Sequence, residues 1–210
     1  MMYENTFESL KYVVSLPDDF DESKQYPAVF HTHGAGCRGT DTTVLRTVGI
    51  LKQADNGDEA LKKCIIFSPQ CYANTWYEIF EQLIRFAEYV ASLPYVDKTR
   101  FYASGISMGG YAIVQLMMSR PKLFAAGVVC CGGGMYWNAA RLKEIPLWFF
   151  HGAQDKVVYP EESLHLCAKI CAAGGNAKVT IYPNNDHNCW DDTYSNEAVY
   201  EWLFSYKKEG

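Results

Sequence analysis

Apolar runs of strand length alternate with longer segments of helical spacing along this chain, and that alternation admits few architectures. Strand-like stretches fall at 10–17, 27–34, 63–70, 100–107, 125–134, 145–152 and 177–186. Helix-like stretches fall between them at 43–54, 74–94, 109–120 and 160–175, with a closing one at 195–208. The strongest helical spacing carries Trp76, Ile79, Phe80, Leu83, Ile84, Ala87, Val90 and Ala91, and Pro94 ends it. Strands alternating with helices of this length predict a mostly parallel sheet with helices on both faces. The inner strands, such as KCIIFSPQ and AAGVVCCGGG, are nearly all apolar, as burial on both faces demands. A length of 210 residues suits one domain over 1–210 without a large cap domain.

In such sheets ligands bind beyond the carboxyl ends of the strands. Those ends read HTHGAGCRG, SPQCYANTW, GISMGG, CCGGGMYW, HGAQDKVV and NNDHNCW. Almost every chemically unusual residue gathers there. GISMGG fits G-x-S-x-G, with a strand before it and a helix after. A sharp, strained turn of this kind projects Ser107 outward and needs small neighbours, here Gly105 and Gly109. The helix beginning at Met108 aims free N–H groups at charge developing near the serine. A hydroxyl is a weak nucleophile and needs a base. Asp155 follows one strand and His187 the last, which gives the order Ser, Asp, His. Asp186 stands second as the acid, and Asp191 and Asp192 read as loop surface. An oxyanion hole needs two backbone N–H groups, one from Met108 and one from Gly34 or Ala35.

Composition excludes other classes. Net charge is −5, from 19 Lys+Arg against 24 Asp+Glu, so there is no basic footprint for nucleic acid or an anionic membrane. No stretch approaches the roughly 18 apolar residues of a membrane span. The eight cysteines accompany no export signal at the start of the sequence, which predicts reduced thiols and a cytoplasmic location. Cys64, Cys130 and Cys131 sit in apolar runs and read as core, while Cys167 and Cys171 share a helix face. Without C-x-x-C a zinc site has little support. His31 and His33 evoke an H-x-H metal pair, since alternate strand residues share a face. That chemistry belongs to larger barrels, so His31 is expected to pack in or beside the strand and His33 to support the oxyanion loop. Cys37 and Cys71 read as loop packing. Tyr72, Trp76, Tyr77, Tyr136, Trp137 and Trp190 flank the expected site and would wall an aromatic cleft. Trp76 reads equally well as core.

Taken in order, HTHGAGCRGTD, SPQCYANTW, GISMGGYA, HGAQDKVV and DHNCWDDTY resemble the α/β-hydrolase superfamily, over about residues 10–205. The resemblance is to its small esterase and prolyl-oligopeptidase-like branch, near the feruloyl and polyhydroxybutyrate-depolymerase-type esterases. His33–Gly39 keeps the H-G-x-G-x-x-G spacing of that branch. The resemblance implies a serine hydrolase with nucleophile Ser107, acid Asp155 and base His187, and places Gln70 and Trp76 near the acyl group. It implies ester cleavage through an acyl-enzyme, without metal or cofactor. A peptidase or amidase with the same triad is the alternative, and an inactive binding protein the remote one. Substrate-binding residues are then Gln70, Trp76, Trp137 and Trp190, and the partner is a small ester, aryl or sugar-linked.

Overall fold

A computed structural model describes residues 1–208. Eight strands form one sheet: β1 (Met2–Phe7), β2 (Leu10–Ser15), β3 (Tyr26–Thr32), β4 (Ile65–Pro69), β5 (Val96–Ile106), β6 (Gly127–Cys130), β7 (Leu147–Gly152) and β8 (Ala177–Tyr182). Their spatial order is β1-β2-β4-β3-β5-β6-β7-β8. β2 pairs antiparallel with both β1 and β4, and every pairing from β4 through β8 is parallel. The sheet is thus mostly parallel, as the alternation predicted.

β1 was not expected. MYENTF is polar and all but its end residues are exposed, so it carries no alternation to read. It exists as an edge strand because a tight turn through Glu8, at φ 54°, folds it onto β2.

The helices are α1 (Gly49–Asp55), α2 (Phe80–Ser92), α3 (Met108–Ser119), α4 (Glu161–Ala172), α5 (Trp190–Tyr194) and α6 (Glu197–Phe204). One core contains Leu83, Phe86, Ile113 and Leu166 of α2, α3 and α4. The other contains Leu51, Val199 and Leu203 of α1 and α6. Both faces of the sheet are covered in this way. α3 is buried almost all round, which explains its lack of a polar stripe.

Three helical segments differ from the periodic reading. The 74–94 segment opens with a 3-10 turn, Trp76–Ile79, before α2. The 43–54 segment breaks where Gly49 takes φ 61°, between a 3-10 turn at Thr42–Thr47 and α1. The last is shorter than 195–208: the Asn196 side chain accepts from the Ala198 N–H at 3.1 Å and starts α6, and α5 lies before the expected segment. β6 also stops early, at Cys130, where Cys131 turns away at φ 40°. Only a 3-10 turn, Tyr136–Leu142, lies between β6 and β7, so no cap covers the strand ends there.

β3 is the branch point. The chain leaves it for β4 on one side and later lays β5 on the other. At such a reversal the two flanking connections diverge and leave a crevice at the carboxyl edge.

Candidate active site

Ser107 sits in that crevice, between β5 and α3, at φ 52° and ψ −120°. This backbone is strained for any residue with a Cβ. Its surroundings impose it. The Ser107 N–H donates to the Cys130 carbonyl at 2.9 Å, and Thr32 Oγ1 donates to the Gly109 carbonyl at 2.8 Å. A Cβ on Gly109 would overlap the Thr32 carbonyl, and one on Gly105 would lie 2.5 Å from the Gly109 carbonyl oxygen. Two glycines therefore let β3, β5 and α3 close around the turn.

His187 follows β8. Its Nε2 lies 2.9 Å from Ser107 Oγ, and its Nδ1 lies 2.7 Å from Asp155 Oδ2. Asp155 follows β7, and its carboxylate is wholly buried. Oδ1 accepts from the backbone N–H groups of Val157 and Val158, at 2.8 and 3.0 Å. Burial alone would raise this carboxyl, but the His187 contact and the two N–H groups outweigh it and hold Asp155 below the usual carboxylate range. The loops carrying the two residues touch through backbone: a Cβ on Gly152 would overlap the Asp186 carbonyl.

Asp186 faces elsewhere. Its Oδ1 accepts from the Asn188 N–H at 3.0 Å and shapes the loop. Asp191 pairs with Lys52 at 2.9 Å, and Asp192 accepts from Asn185 at 2.6 Å.

The loop after β3 approaches from the opposite side. A Cβ on Gly34 would lie 3.4 Å from that of Ser107. Ala35 begins a 3-10 turn and Met108 begins α3. The first N–H of a helix has no partner within it, so neither the Ala35 nor the Met108 N–H has an acceptor in its own helix.

The segment after β4 clamps this loop. His33 Nε2 accepts from the Cys71 N–H at 2.9 Å, so its Nδ1 carries the hydrogen and donates to the Gly34 carbonyl at 2.6 Å. Burial pulls His33 down to about 4, which keeps it neutral in this role. Gln70 Nε2 donates to the carbonyls of Cys37 and Asp41, each at 2.9 Å. Trp76 Nε1 donates to the His33 carbonyl at 3.1 Å. Arg38 donates to Ala35 and Asn74 carbonyls at 2.9 Å. His31, within β3, meets Ser104 Oγ at 3.2 Å through Nδ1. β3 ends at Thr32, so the alternation that would pair His31 with His33 does not reach His33.

A cavity of about 300 Å³ opens beside Ser107, lined mainly by apolar groups of Gly34, Ala35, Ile106, Val157, His187 and Trp190. Trp190 stands edge-on to the His187 ring, with centroids 5.6 Å apart. The other three expected substrate contacts are absent from its wall. Gln70 and Trp76 are buried behind the loop they hold, and Trp137 is 72% exposed on the 3-10 turn after β6. Tyr136 packs on His165 at 5.3 Å. Tyr72 and Tyr77 line a separate groove of about 850 Å³ with Phe80 and Arg85. That groove is larger, but neither Ser107 nor His187 lines it. All eight cysteines are free; Cys64, Cys130 and Cys131 are buried as expected, and Cys37 is half-buried.

α/β-Hydrolase is the class that this sheet and its helices define. Known proteins narrow it. The prolyl oligopeptidase family matches residues 66–138 and 134–209, and the chain belongs to that family. Among relatives, the Aspergillus niger protein named probable feruloyl esterase C is 27% identical over 188 residues, covering 87% of this chain and 69% of its own. The Aspergillus terreus protein named probable dipeptidyl-peptidase 5 is 28% identical over 177 residues, yet this chain spans only 23% of its length. A solved thermostable esterase superposes with a TM-score of 0.85 and 29% identity, over 99% of this chain and 63% of that one. Est1E from Butyrivibrio proteoclasticus shares the fold at a TM-score of 0.70 and 14% identity, covering 97% and 96% of the two chains. Among the described residues, no helix is long and apolar enough to cross a membrane.

Proposed function

We propose that this protein is a serine hydrolase that cleaves small carboxylic esters through an acyl-enzyme. One observation carries the reading: a single imidazole, His187, bridges Ser107 Oγ at 2.9 Å and Asp155 Oδ2 at 2.7 Å. Nε2 faces the hydroxyl, so Nδ1–H donates to the carboxylate. This is the tautomer a general base requires.

His187 takes the Ser107 proton as Oγ attacks the substrate carbonyl carbon. The carbonyl π pair moves to oxygen, and the N–H groups of Met108 and Ala35 or Gly34 receive that charge. Asp155 stays ionised and stabilises the imidazolium. His187 then returns the proton to the departing alcohol. Water repeats the sequence on the acyl-serine, and the acid leaves with Ser107 restored.

The cavity argues for the substrate class. About 300 Å³ of mainly apolar space accepts a short acyl or single aryl group without charge. With only the 3-10 turn between β6 and β7, the larger partner of the ester stays in the open. A second reading, hydrolysis of a peptide or amide by the same triad, is favoured by the family match and by the peptidase relative.

A panel of p-nitrophenyl acetate, longer acyl esters, hydroxycinnamoyl esters, acetylated sugars and dipeptide amides separates the two. Faster turnover of short esters than of amides supports the first reading, and the reverse order replaces it with the second. A folded protein that leaves Ser107 unlabelled by a fluorophosphonate overturns both.

A further inference from the structure

His151 has no part in the steps above, yet it touches the same carboxylate. It lies in β7, four residues before Asp155, and its ring is fully buried. Nε2 is 2.8 Å from the Val158 carbonyl oxygen and 3.2 Å from Asp155 Oδ2. Nδ1 is 2.8 Å from Ser163 Oγ. Both groups facing Nε2 are acceptors only. A bare nitrogen lone pair against two oxygen lone pairs, away from water, is repulsive. Nε2 therefore carries a hydrogen, shared between Val158 and Asp155. The oxygen it meets is the one that receives His187 Nδ1–H.

We infer that His151 is a positioning residue: a second imidazole N–H on Asp155 Oδ2 that takes part of its charge and so tunes how readily His187 accepts the serine proton. This rests on the triad reading of Ser107, His187 and Asp155.

The far side of the ring leaves two charge states open to it. The Ser163 hydroxyl lies within reach of both His151 Nδ1 and the Gly132 carbonyl, at 2.8 and 3.2 Å. If it donates to Nδ1, the ring is neutral. If it donates to Gly132, Nδ1 must donate in turn and the ring is an imidazolium. Nε2–H faces Asp155 in both, and both act in one direction. Each draws charge from Asp155 and disfavours a proton on His187.

Titratable groups facing these residues come from α3 and from the loops after β7 and β8. Tyr111 of α3 faces Asp155 and is pushed up to about 12, chiefly by burial, so it stays neutral across the working range. The Cys189 sulfur, before α5, faces both imidazoles. Lys156 and Asp186, from the loops after β7 and β8, border the open side of His187.

Two variants differ in one atom's placement. A Gln side chain ends in nitrogen at the same bond count as His Nε2, while Asn ends one bond short. In His151→Asn the acid limb of kcat/KM for p-nitrophenyl acetate should move to higher pH by roughly half to one unit, the size of one hydrogen bond. In His151→Gln the limb should return toward that of the unaltered protein. A folded Asn variant with an unmoved limb, or a Gln variant shifted as far as Asn, overturns the inference. The unaltered protein supplies a test free of folding effects: nitrogen NMR of ¹⁵N-histidine-labelled chain should show a protonated His151 Nε2. An unprotonated Nε2 overturns the inference whether or not the ester is cleaved. An unaltered protein that is inert toward ester and fluorophosphonate overturns the triad reading itself.

Discussion

Gln70 and Cys37 meet 33 residues apart in sequence, where the Gln70 side-chain N–H donates to the Cys37 carbonyl at 2.9 Å. The same nitrogen donates to Asp41 at 2.9 Å, so one amide holds both ends of the loop beside Ser107. Gln70→Leu leaves the carbonyls of Cys37 and Asp41 without this donor. It should destabilise the fold by roughly 1–3 kcal/mol and lower kcat more than it raises KM. Denaturant unfolding beside steady-state kinetics checks this, and unchanged kcat in the folded variant would show the loop is held without Gln70.

Ser107 separates chemistry from strain. Ser107→Ala should end hydrolysis of p-nitrophenyl acetate and leave the melting temperature near its starting value. Ser107→Gly should also end it but raise the melting temperature, because glycine adopts φ 52° freely. The gain is of order 1–3 kcal/mol. Calorimetry of the pair decides it; a Gly variant that melts lower would mean the turn stores no strain.

Asp155→Asn should cut kcat by roughly 10⁴-fold while the protein stays folded, since an amide stabilises the wrong imidazole tautomer. Asp186→Asn should cost little, because its carboxylate caps a loop N–H. Stopped assays at saturating substrate compare the two, and the opposite ranking would reassign the acid.

Two buried histidines predict acid lability. Burial lowers His31 from 6.5 to about 3, and lowers His33 from 6.5 to about 4. Between those values the unfolded chain binds more protons than the folded one, so stability rises with pH. Their contribution is complete above about 6.5 and is lost as pH falls toward the folded values. The melting temperature should fall from pH 7 to pH 4, with a shallower slope in His31→Asn. Equal slopes in the two proteins would remove His31 from the account.

Gly152→Ala tests the contact between the loops that follow β7 and β8. Its Cβ would overlap the Asp186 carbonyl and push the His187 loop outward. A displacement near 1 Å costs about 10²-fold in rate. The kcat/KM of the folded variant measures it; an undiminished value would show that the loops move together.

The inner strands and α3 were legible because burial on both faces leaves long apolar runs, and Gly105 and Gly109 marked the sharp turn around Ser107. Edge and surface were not. β1 carries no two-residue alternation and is placed by pairing, while the break at Gly49 depends on a positive φ and the start of α6 on the Asn196 cap, both of which periodicity averages away. Within the site, residues projecting from strand ends could be found by position, but direction could not. Gln70 follows β4 directly and Trp76 opens the 3-10 turn beyond it, and both point into the back of the loop. Sequence order assigned His151 no role, because the carboxylate it touches lies four residues on, past the end of β7.

Ser107 and His187 stand 80 residues apart along the chain. A ribosome delivers the hydroxyl first and the imidazole much later, after α4 and β8 have been made. A growing polypeptide thus carries an idle alcohol while the next 80 residues are made. Under the proposed mechanism, reactivity waits until the loop after the final strand brings His187 to the serine.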